Sequence, residues 1–487
     1  MHTGANVKVR SSMSPEEFRE AGHQLIDWIA DYRNNIENMP VRAQAKPGEI
    51  RQEFKDDHAD ATLDFVTLLN TLDQRVVPGI TQVQSPMHFG WFPSNASLAS
   101  VLGDIASSGL GTLGISWESC PSLTEVEEVT VNWMRELVGL SDAWHGTIHD
   151  TASTACLTAL LAAREKAGAF CLQNGGLQAV DRPLVIYTTA EAHSSVEKAA
   201  LLAGFGRDNL RLVGMDPETR AMQPDALAQS ISEDLANGSI PAAIVASCGS
   251  TGVTAFDPVD EIVNIAQEHN IWVHVDAAMA GTAMLLPECR HLWEGVEGAD
   301  SLSWNPHKWM GTILDTSLFF VRDPEHLIRV MSTNPSYLQS QVDGDVVQYR
   351  DWGIPLGRRF RALKLWFHLK LDGIESIQSR LRRDLENARW LADQVDAHPD
   401  WALVSPLTLQ TVCIRHCPPN ITEDALNEHT LTWARQINDS GQAFVSPSSV
   451  DGQWMVRVSV GVESTERQHV ERLWALLKNA ANGSLQT

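Results

Sequence analysis

The sequence of 487 residues predicts an α/β protein built on a mostly parallel sheet. In the middle of the chain, strand-like runs at residues 184–188 and 242–247 alternate with a helical pattern at residues 257–269. The next run, residues 271–275, is apolar throughout, as expected for a strand that is covered on both faces. A strand, a helix and a second strand in this order form a βαβ unit, which favours parallel pairing of the strands.

The N-terminal segment predicts a helical arm. Ser14, Pro15 and Glu17 are typical of a helix start, because Ser14 and Glu17 can form a capping box and proline suits the first helical position. From Phe18 to Tyr32 an apolar residue then recurs every three or four positions. Such a stripe covers either the core of the same subunit or a partner subunit, and the pattern leaves both possibilities open.

The chain beyond residue 363 predicts a second, smaller α/β unit. A helical pattern near residues 371–395 precedes strand-like runs at residues 411–416 and 454–460. Residues 465–468 have the sequence of a capping box before a last amphipathic helix. Before this unit, in the large domain, residues 317–321 are a further strand candidate. The predicted division is an N-terminal helical segment (1–97), a large domain (98–363) and a small C-terminal domain (364–487).

Composition and charge disfavour several classes of protein. Hydrophobic residues make up 43% of the chain and charged residues 20%, which is typical of a globular protein rather than a disordered one. A net charge of −24 disfavours binding to nucleic acid or to anionic membranes. The sequence has neither the roughly 20 apolar residues of a membrane-spanning helix nor the apolar core of a signal peptide. The seven cysteines, without a Cys-x-x-Cys pair, predict reduced thiols and a cytoplasmic location.

Two motifs resemble known sites but lack the required context. Residues 109–114 fit the glycine pattern of a dinucleotide-binding loop, but a helical segment precedes them where a strand is required. His145 and His149 are four residues apart, but the glutamate of the zinc-protease motif is missing. We therefore predict neither a dinucleotide site nor a metal site.

Residues 303–309 (SWNPHKW) are the most informative segment. Lys308 stands beside His307 and among tryptophans, which is not typical of a surface lysine. Apolar surroundings lower the pKa of an amine and so make it a nucleophile for Schiff-base chemistry. The alternative is a partly exposed lysine near the end of a strand.

Three other segments add complementary chemistry. Asp276 follows the strand at residues 271–275, where α/β sheets bind ligands, and its carboxylate could hold the proton of a pyridine nitrogen. Residues 150–154 open a helix whose hydroxyl and N–H groups could bind a phosphate. His193 follows another predicted strand and could stack on a flat ring. The alternative for Asp276 is that it caps the turn after its strand. The alternative for residues 150–154 is ordinary capping of their helix.

Together these groups predict a site for pyridoxal 5′-phosphate, and the chain resembles a known family that uses this cofactor. Over nearly its whole length it is similar to the pyridoxal-phosphate-dependent group II decarboxylases, and among them to the aromatic-L-amino-acid decarboxylases. The resemblance depends on residues 92–93 (FP), 152–153 (AS), 193–197 (HSSVE), 274–278 (HVDAA), 305–309 (NPHKW) and 354–360 (IPLGRRF).

The resemblance implies a fold-type I homodimer, with active sites at the subunit interface and an N-terminal segment that packs on the partner. It implies that Lys308 binds the aldehyde of the cofactor, that Asp276 pairs with the pyridine nitrogen, and that His193 and Ala278 cover the two faces of the ring. The other implied cofactor contacts are Thr151, Ala152, Ser153, Thr251, Asn305 and His307, with Leu356 and Gly357 from the other subunit.

The implied reaction is decarboxylation of an aromatic L-amino acid (DOPA, tryptophan, 5-hydroxytryptophan, tyrosine or phenylalanine) to the amine and CO₂. Tyr337 matches the loop tyrosine that returns a proton to Cα in this family; its alternative role is to anchor the loop. Some positions depart from the family pattern: Trp91 often corresponds to tyrosine, and Ser94 and Ser250 to threonine. These departures concern substrate preference. The implied substrate contacts are Trp91, Phe92, Pro93, Ser94, His193 and Arg358.

Three alternatives stay open. Aldehyde synthases of this family have phenylalanine at the loop position or asparagine at the ring-stacking position, so Tyr337 and His193 favour simple decarboxylation. An acidic substrate such as glutamate would require a dedicated cation, for which Arg358 is a candidate, whereas Trp91 and Phe92 favour a flat apolar side chain. A non-catalytic binding protein would not need the complete set of catalytic groups.

Overall fold

The computed structural model describes residues 12–333, 344–419 and 421–484. Its α-helices are α1 (Pro15–Asn35), α2 (Glu49–Glu53), α3 (Phe65–Thr71), α4 (Leu98–Leu110), α5 (Pro121–Val138), α6 (Ala152–Ala167), α7 (Ser194–Leu202), α8 (Pro224–Ala236), α9 (Val259–Glu268), α10 (Pro324–Met331), α11 (Ala362–Leu371), α12 (Ile374–Asp396), α13 (Glu423–Ser440) and α14 (Arg467–Ala481). Its strands are β1 (His145–His149), β2 (Leu184–Thr188), β3 (Leu210–Leu212), β4 (Ile240–Ser247), β5 (Trp272–Asp276), β6 (Ser301–Trp304), β7 (Ser317–Val321), β8 (Trp401–Leu403), β9 (Thr411–His416), β10 (Ser446–Val450) and β11 (Gln453–Ser459).

The large sheet has seven strands in the order β1-β7-β6-β5-β4-β2-β3. The five strands from β6 to β3 are parallel, whereas β7 is antiparallel to both β6 and β1. The mostly parallel sheet predicted from the sequence is therefore confirmed. The direction reverses at β7, which follows β6 through residues 305–316 without the helix that usually forms a parallel crossover.

The large sheet is buried on both faces. Along β7, Leu318 and Phe320 belong to one apolar cluster, while Phe319 and Val321 belong to another. Since successive side chains of a strand point to opposite faces, this alternation places one cluster on each side of the sheet. Helix α6 crosses one face and contacts β4, β5, β6 and β7. Its first residue, Ala152, lies at the same edge of the sheet as Asp276, the last residue of β5, because both line one cavity.

The small sheet is antiparallel, with the order β10-β11-β9-β8, and α12, α13 and α14 pack against it. Its apolar cluster also contains Val41, Met87 and Phe89 from the N-terminal segment. The backbone of Phe89 donates to Phe444 O (2.8 Å) and accepts from Ser459 N (2.9 Å). Part of the N-terminal segment is thus built into the small domain, and the predicted boundary after residue 363 falls within α11.

Two predicted capping boxes have different outcomes. At α1 the prediction is confirmed, because Ser14 Oγ accepts from Glu17 N (3.2 Å) and Glu17 accepts from Ser14 N (2.8 Å). At α14 the prediction is wrong by one residue: Glu466 is the N-cap, and His469 Nδ1 accepts from its backbone N–H at 2.9 Å. Thr465 Oγ1 donates instead to Pro86 O (3.0 Å), a long-range contact with the N-terminal segment.

The described residues include no helix that is long and apolar enough to cross a bilayer. All seven cysteines have free thiols.

Candidate active site

The candidate active site lies where three neighbouring strands of the large sheet end. Ser247 and Asp276 are the last residues of β4 and β5 and are paired in the sheet, and Asn305 directly follows β6. The three residues line a cavity of about 240 Å³. Ligands of α/β proteins bind at this carboxyl edge of the strands, so the topology alone makes the cavity a candidate binding site.

The structure brings most of the predicted cofactor residues to this one cavity. Those that line it are Thr151, Ala152, Ser153, His193, Thr251, Asp276, Ala278, Asn305, His307 and Lys308. The sequence analysis did not single out Ser247, Gly249 and Met279, which also line it. The position of Ser247 at the end of β4, matching Asp276 at the end of β5, is a signal that could have identified it.

Lys308 lies in the loop after β6, and the loop is held from several sides. The backbone N–H of Lys308 donates to Asn305 O (3.0 Å), and the next residue, Trp309, is fully buried and donates through Nε1 to Asp384 Oδ2 at 2.9 Å. Lys308 Nζ is 5.5 Å from the ring centre of Phe92. These contacts fix the base of the side chain and place its amine against an apolar wall.

The environment of Lys308 shifts its amine toward the neutral form. Burial lowers the pKa of Lys308; the nearby Asp276 carboxylate opposes this effect, and the Arg457 guanidinium adds to it. Arg457 is itself buried, with its Cζ 4.8 Å from the Phe92 ring centre. A lysine with a lowered pKa has more of the neutral, nucleophilic form at neutral pH.

Asp276 and His193 come from two different strand ends. Asp276 is 9% exposed, and its Oδ1 accepts a hydrogen bond from the backbone N–H of Ala278 at 3.0 Å. His193 is the N-cap of α7. Burial lowers the pKa of His193, Asp276 counteracts this, and Lys308 lowers it further. The cavity thus combines a fixed carboxylate with an imidazole that favours its neutral form.

The start of α6 provides an anion-binding end to the cavity. Thr151 is the N-cap of α6, and among the described residues no side chain caps its first turn. The free N–H groups and the helix dipole favour a negatively charged group there. Asn305 Oδ1 is buried and has no hydrogen-bond partner in the described part of the chain. This oxygen can only accept, so it would need a donor group on a bound ligand, whereas the Nδ2 group of the same amide is the one that could donate to an anion.

Some residues predicted to contact the substrate lie outside the cavity lining. Of them, Phe92 and His193 line the cavity, but Trp91, Pro93 and Ser94 do not. Trp91 is 52% exposed, and its ring packs edge-on against Phe444 at 4.9 Å.

Arg358 is held by a buried ion pair and does not line the cavity of its own chain, so its contact with the substrate stays a prediction. Its Nη2 donates to Glu127 Oε1 (2.6 Å) and Ile148 O (2.8 Å) and contacts Thr147 Oγ1 at 3.1 Å. Both charged side chains are less than one-tenth exposed. This pairing gives Arg358 a structural role, joining its segment to α5 and β1, and it does not line the cavity.

Two further predictions concern the partner subunit and the catalytic loop. Leu356 and Gly357 do not line the cavity of their own chain, and Leu356 is 43% exposed. Tyr337 lies outside the described residues.

The residues present fit pyridoxal 5′-phosphate. An amine of lowered pKa, a fixed carboxylate, a flat imidazole and an uncapped helix start converge on one cavity. These are the groups needed for an aldehyde, a pyridine nitrogen, a ring face and a phosphate. The fold and the site together define the class as a pyridoxal-phosphate-dependent enzyme.

Comparison with known proteins identifies the family. Residues 47–417 match the pyridoxal-dependent decarboxylase conserved domain. The chain is 38% identical to tryptophan decarboxylase 2 of Oryza sativa subsp. japonica over 480 residues, which cover 96% of this chain and 95% of that protein. It is 37% identical to phenylacetaldehyde synthase of Arabidopsis thaliana over 484 residues, or 98% of each chain. The crystal structure of Oryza sativa TDC with PLP and tryptamine matches with a TM-score of 0.94 at 32% identity, covering 98% of this chain and 100% of that one. The chain therefore belongs to the pyridoxal-dependent decarboxylase family, and its cofactor is pyridoxal 5′-phosphate.

Proposed function

We propose that this enzyme decarboxylates an aromatic L-amino acid to the corresponding amine and CO₂, acting as a homodimer in the cytoplasm. The observation that carries the proposal is the convergence of Lys308, Asp276 and His193 on one cavity beside the ring of Phe92. The similarity to tryptophan and tyrosine decarboxylases supports the aromatic class of substrate. The free thiols support a reducing compartment.

Each side chain has a definite part in this proposal. When bound, the cofactor supplies an aldehyde that combines with amino groups and a ring that accepts the electrons released with CO₂. The neutral amine of Lys308 would hold the aldehyde, and Asp276 would keep a proton on the ring nitrogen. His193 and Ala278 would flank the ring. The start of α6 and the amide of Asn305 would hold the phosphate.

The wall beside the amine favours a flat apolar side chain over an acidic one. Phe92 is half-buried and lines the cavity close to Lys308 Nζ. An aromatic substrate would gain apolar and ring contacts there. The candidate cation for an acidic substrate, Arg358, is already paired with Glu127. Arg457 is nearby but does not line the cavity.

The proposed homodimer is supported by apolar side chains that this chain leaves exposed. Four of them lie in two segments that the bridge between Gly114 and Arg358 brings together: the end of α4 with the turn after it, and residues 354–357. Leu110, Leu113, Ile354 and Leu356 have exposed fractions of 62%, 58%, 55% and 43%. Exposed apolar residues clustered in this way are typical of a subunit interface. In the dimer, Leu356 and Gly357 would reach the phosphate end of the partner's site.

A substrate panel tests the proposal. The purified holoenzyme is incubated with phenylalanine, tyrosine, tryptophan, DOPA, 5-hydroxytryptophan and glutamate, and amine, aldehyde, ammonia and peroxide are quantified. We expect amine and CO₂ from at least one aromatic substrate and none from glutamate. Aldehyde with ammonia and peroxide as the main products would instead indicate aldehyde synthase activity, which the similarity to phenylacetaldehyde synthase makes the second candidate. Turnover of glutamate alone would refute the aromatic proposal.

A further inference from the structure

The imidazole of His193 is held by the first turn of its own helix. Its Nδ1 accepts a hydrogen bond from the backbone N–H of Ser195 at 3.2 Å. The Oγ of Ser195 lies 2.7 Å from the same nitrogen. Ser195 is 6% exposed and lines the same cavity as His193. One buried residue therefore makes two polar contacts to a single ring nitrogen.

These two contacts determine the tautomer of His193. A backbone N–H can only donate, so Nδ1 must present its lone pair and cannot carry a proton. A serine hydroxyl can donate or accept, and beside an unprotonated Nδ1 it must donate. The proton of the neutral imidazole is consequently on Nε2, the nitrogen that Ser195 does not contact.

We propose that Ser195 is a positioning residue that fixes His193 as the neutral Nε2–H tautomer, so that the ring nitrogen not bound by Ser195 is a hydrogen-bond donor and not a proton acceptor. The orientation of the ring and the tautomer are properties of the protein alone. Their use in catalysis rests on the proposed function, in which His193 flanks the cofactor.

The surroundings of His193 also oppose its protonation. A second proton would have to be added at Nδ1, where it would displace the hydrogen bond from the backbone N–H of Ser195 and require the Ser195 hydroxyl to turn from donor to acceptor. The ring is at the N-terminus of α7, where the helix dipole disfavours a cation. Of the charged groups that act on the ring, Lys308 opposes protonation and Asp276 favours it, and with burial the net effect is a lowered pKa for His193.

This arrangement limits what His193 can do in the reaction. A neutral imidazole with its proton on Nε2 cannot accept a proton at that nitrogen, and it is too weak an acid to give that proton away. It can stack on a ring and donate one hydrogen bond to a bound ligand. Protonation of Cα must then come from another group, which agrees with the role predicted for Tyr337.

The proposal is tested by NMR of the holoenzyme labelled with ¹⁵N in the histidine rings, with the His193 signals assigned by their loss in His193→Asn. In the wild type, we expect an unprotonated Nδ1 and a protonated Nε2 at neutral pH. In Ser195→Ala, which removes the hydroxyl contact to Nδ1, the acid dissociation constant of His193 should change about 3- to 10-fold, the scale of one lost hydrogen bond. Ser195→Ala keeps the backbone N–H that donates to Nδ1, so Nε2–H should remain the main tautomer in this variant.

Two other variants provide the controls. Ser194→Ala changes an exposed serine of the same turn and should leave the His193 signals unchanged. Ser195→Thr keeps the hydroxyl and should restore the wild-type titration. For kcat/KM we expect a loss of about 3- to 10-fold in Ser195→Ala and no loss in Ser194→Ala.

A protonated Nδ1 in the wild type would overturn the proposal, and this measurement does not require any variant to fold. Equal titration of His193 in Ser195→Ala and Ser194→Ala would overturn it as well. Because the NMR measurement does not depend on turnover, failure of the decarboxylation assay with an intact Nε2–H tautomer would refute only the proposed function.

Discussion

The buried pair of Glu127 and Arg358 gives the sharpest quantitative prediction. In Arg358→Met, the Glu127 carboxylate keeps two neutral donors among the described residues, Ile148 N at 2.8 Å and Thr147 Oγ1 at 2.9 Å. Its charge then lies unpaired in a site where the side chain is 1% exposed. Removing one partner of a buried ion pair typically costs about 3–5 kcal/mol of folding free energy. We expect a loss of this size in Arg358→Met and in Glu127→Met.

The double variant should be much less destabilised than the sum of the two single variants. With both charges removed, the desolvation penalty disappears, and two methionines can fill the space with apolar atoms. The remaining cost is the loss of acceptors for Ile148 N and Thr147 Oγ1, about 1–3 kcal/mol. The assay is urea unfolding followed by tryptophan fluorescence, since the chain has 16 tryptophans. The double-mutant cycle then isolates the coupling between the two side chains.

The neighbouring arginine provides a matched control. Arg359 pairs with Asp104 at 3.0 Å, but its side chain is 50% exposed, so Arg359→Met should change stability by at most about 1 kcal/mol. The reasoning is refuted if Arg358→Met has the same urea midpoint of unfolding as the wild type but a KM for the substrate that is more than tenfold higher than the wild-type KM. That result would support the role of Arg358 as a substrate-binding residue.

Three further predictions concern the lysine, the loop tyrosine and a buried histidine. Lys308→Ala should lose activity and form no stable cofactor adduct after borohydride reduction; an adduct at one site, found by peptide mass analysis, would assign the role to another residue. Tyr337→Phe should lower amine formation by about 10²-fold, the scale of a lost general acid, and divert part of the flux to aldehyde with oxygen uptake, whereas unchanged amine production would exclude Tyr337 as the proton donor. His88 is 1% exposed, both of its ring nitrogens lack partners among the described residues, and burial lowers its pKa to about 4. The unfolded chain takes up a proton near pH 6.5 and the folded chain only near pH 4, so wild-type stability should fall as the pH drops through this window, by up to about 3 kcal/mol from His88. Urea unfolding of His88→Phe should show a smaller loss, and an identical pH dependence in both proteins would contradict this assignment.

Local sequence patterns predicted many elements because the residues involved have strong intrinsic preferences. The strands at residues 184–188, 317–321 and 411–416 are confirmed at both ends. Each is rich in β-branched or aromatic residues and is buried, so propensity and burial agree. The capping box at Ser14 is confirmed for the same reason, since all of its contacts lie within four residues.

The features that sequence patterns missed depend on distant contacts. Glu127 and Arg358 are 231 positions apart, and no local pattern indicates that they pair. Similarly, Thr465 is drawn away from α14 by Pro86. In the site, Lys308 and Asp276 were predicted because their side chains have distinctive chemistry. Serine, glycine and methionine have no such signature, so the remaining lining residues became apparent only when the strands were placed side by side.

The loop that carries Lys308 is attached to α12 as well as to the large sheet. Arg380 of α12 donates through Nη2 to Trp309 O (2.9 Å) and Met310 O (2.6 Å), and Asp384 of the same helix accepts from Trp309 Nε1. Helix α12 also packs on β8 and β9. A shift of the small domain would therefore move the lysine itself. If cofactor binding favours one position of α12, a second interaction that favours the same position must tighten cofactor binding. By thermodynamic reciprocity, the factor by which this interaction tightens cofactor binding equals the factor by which the cofactor strengthens the interaction.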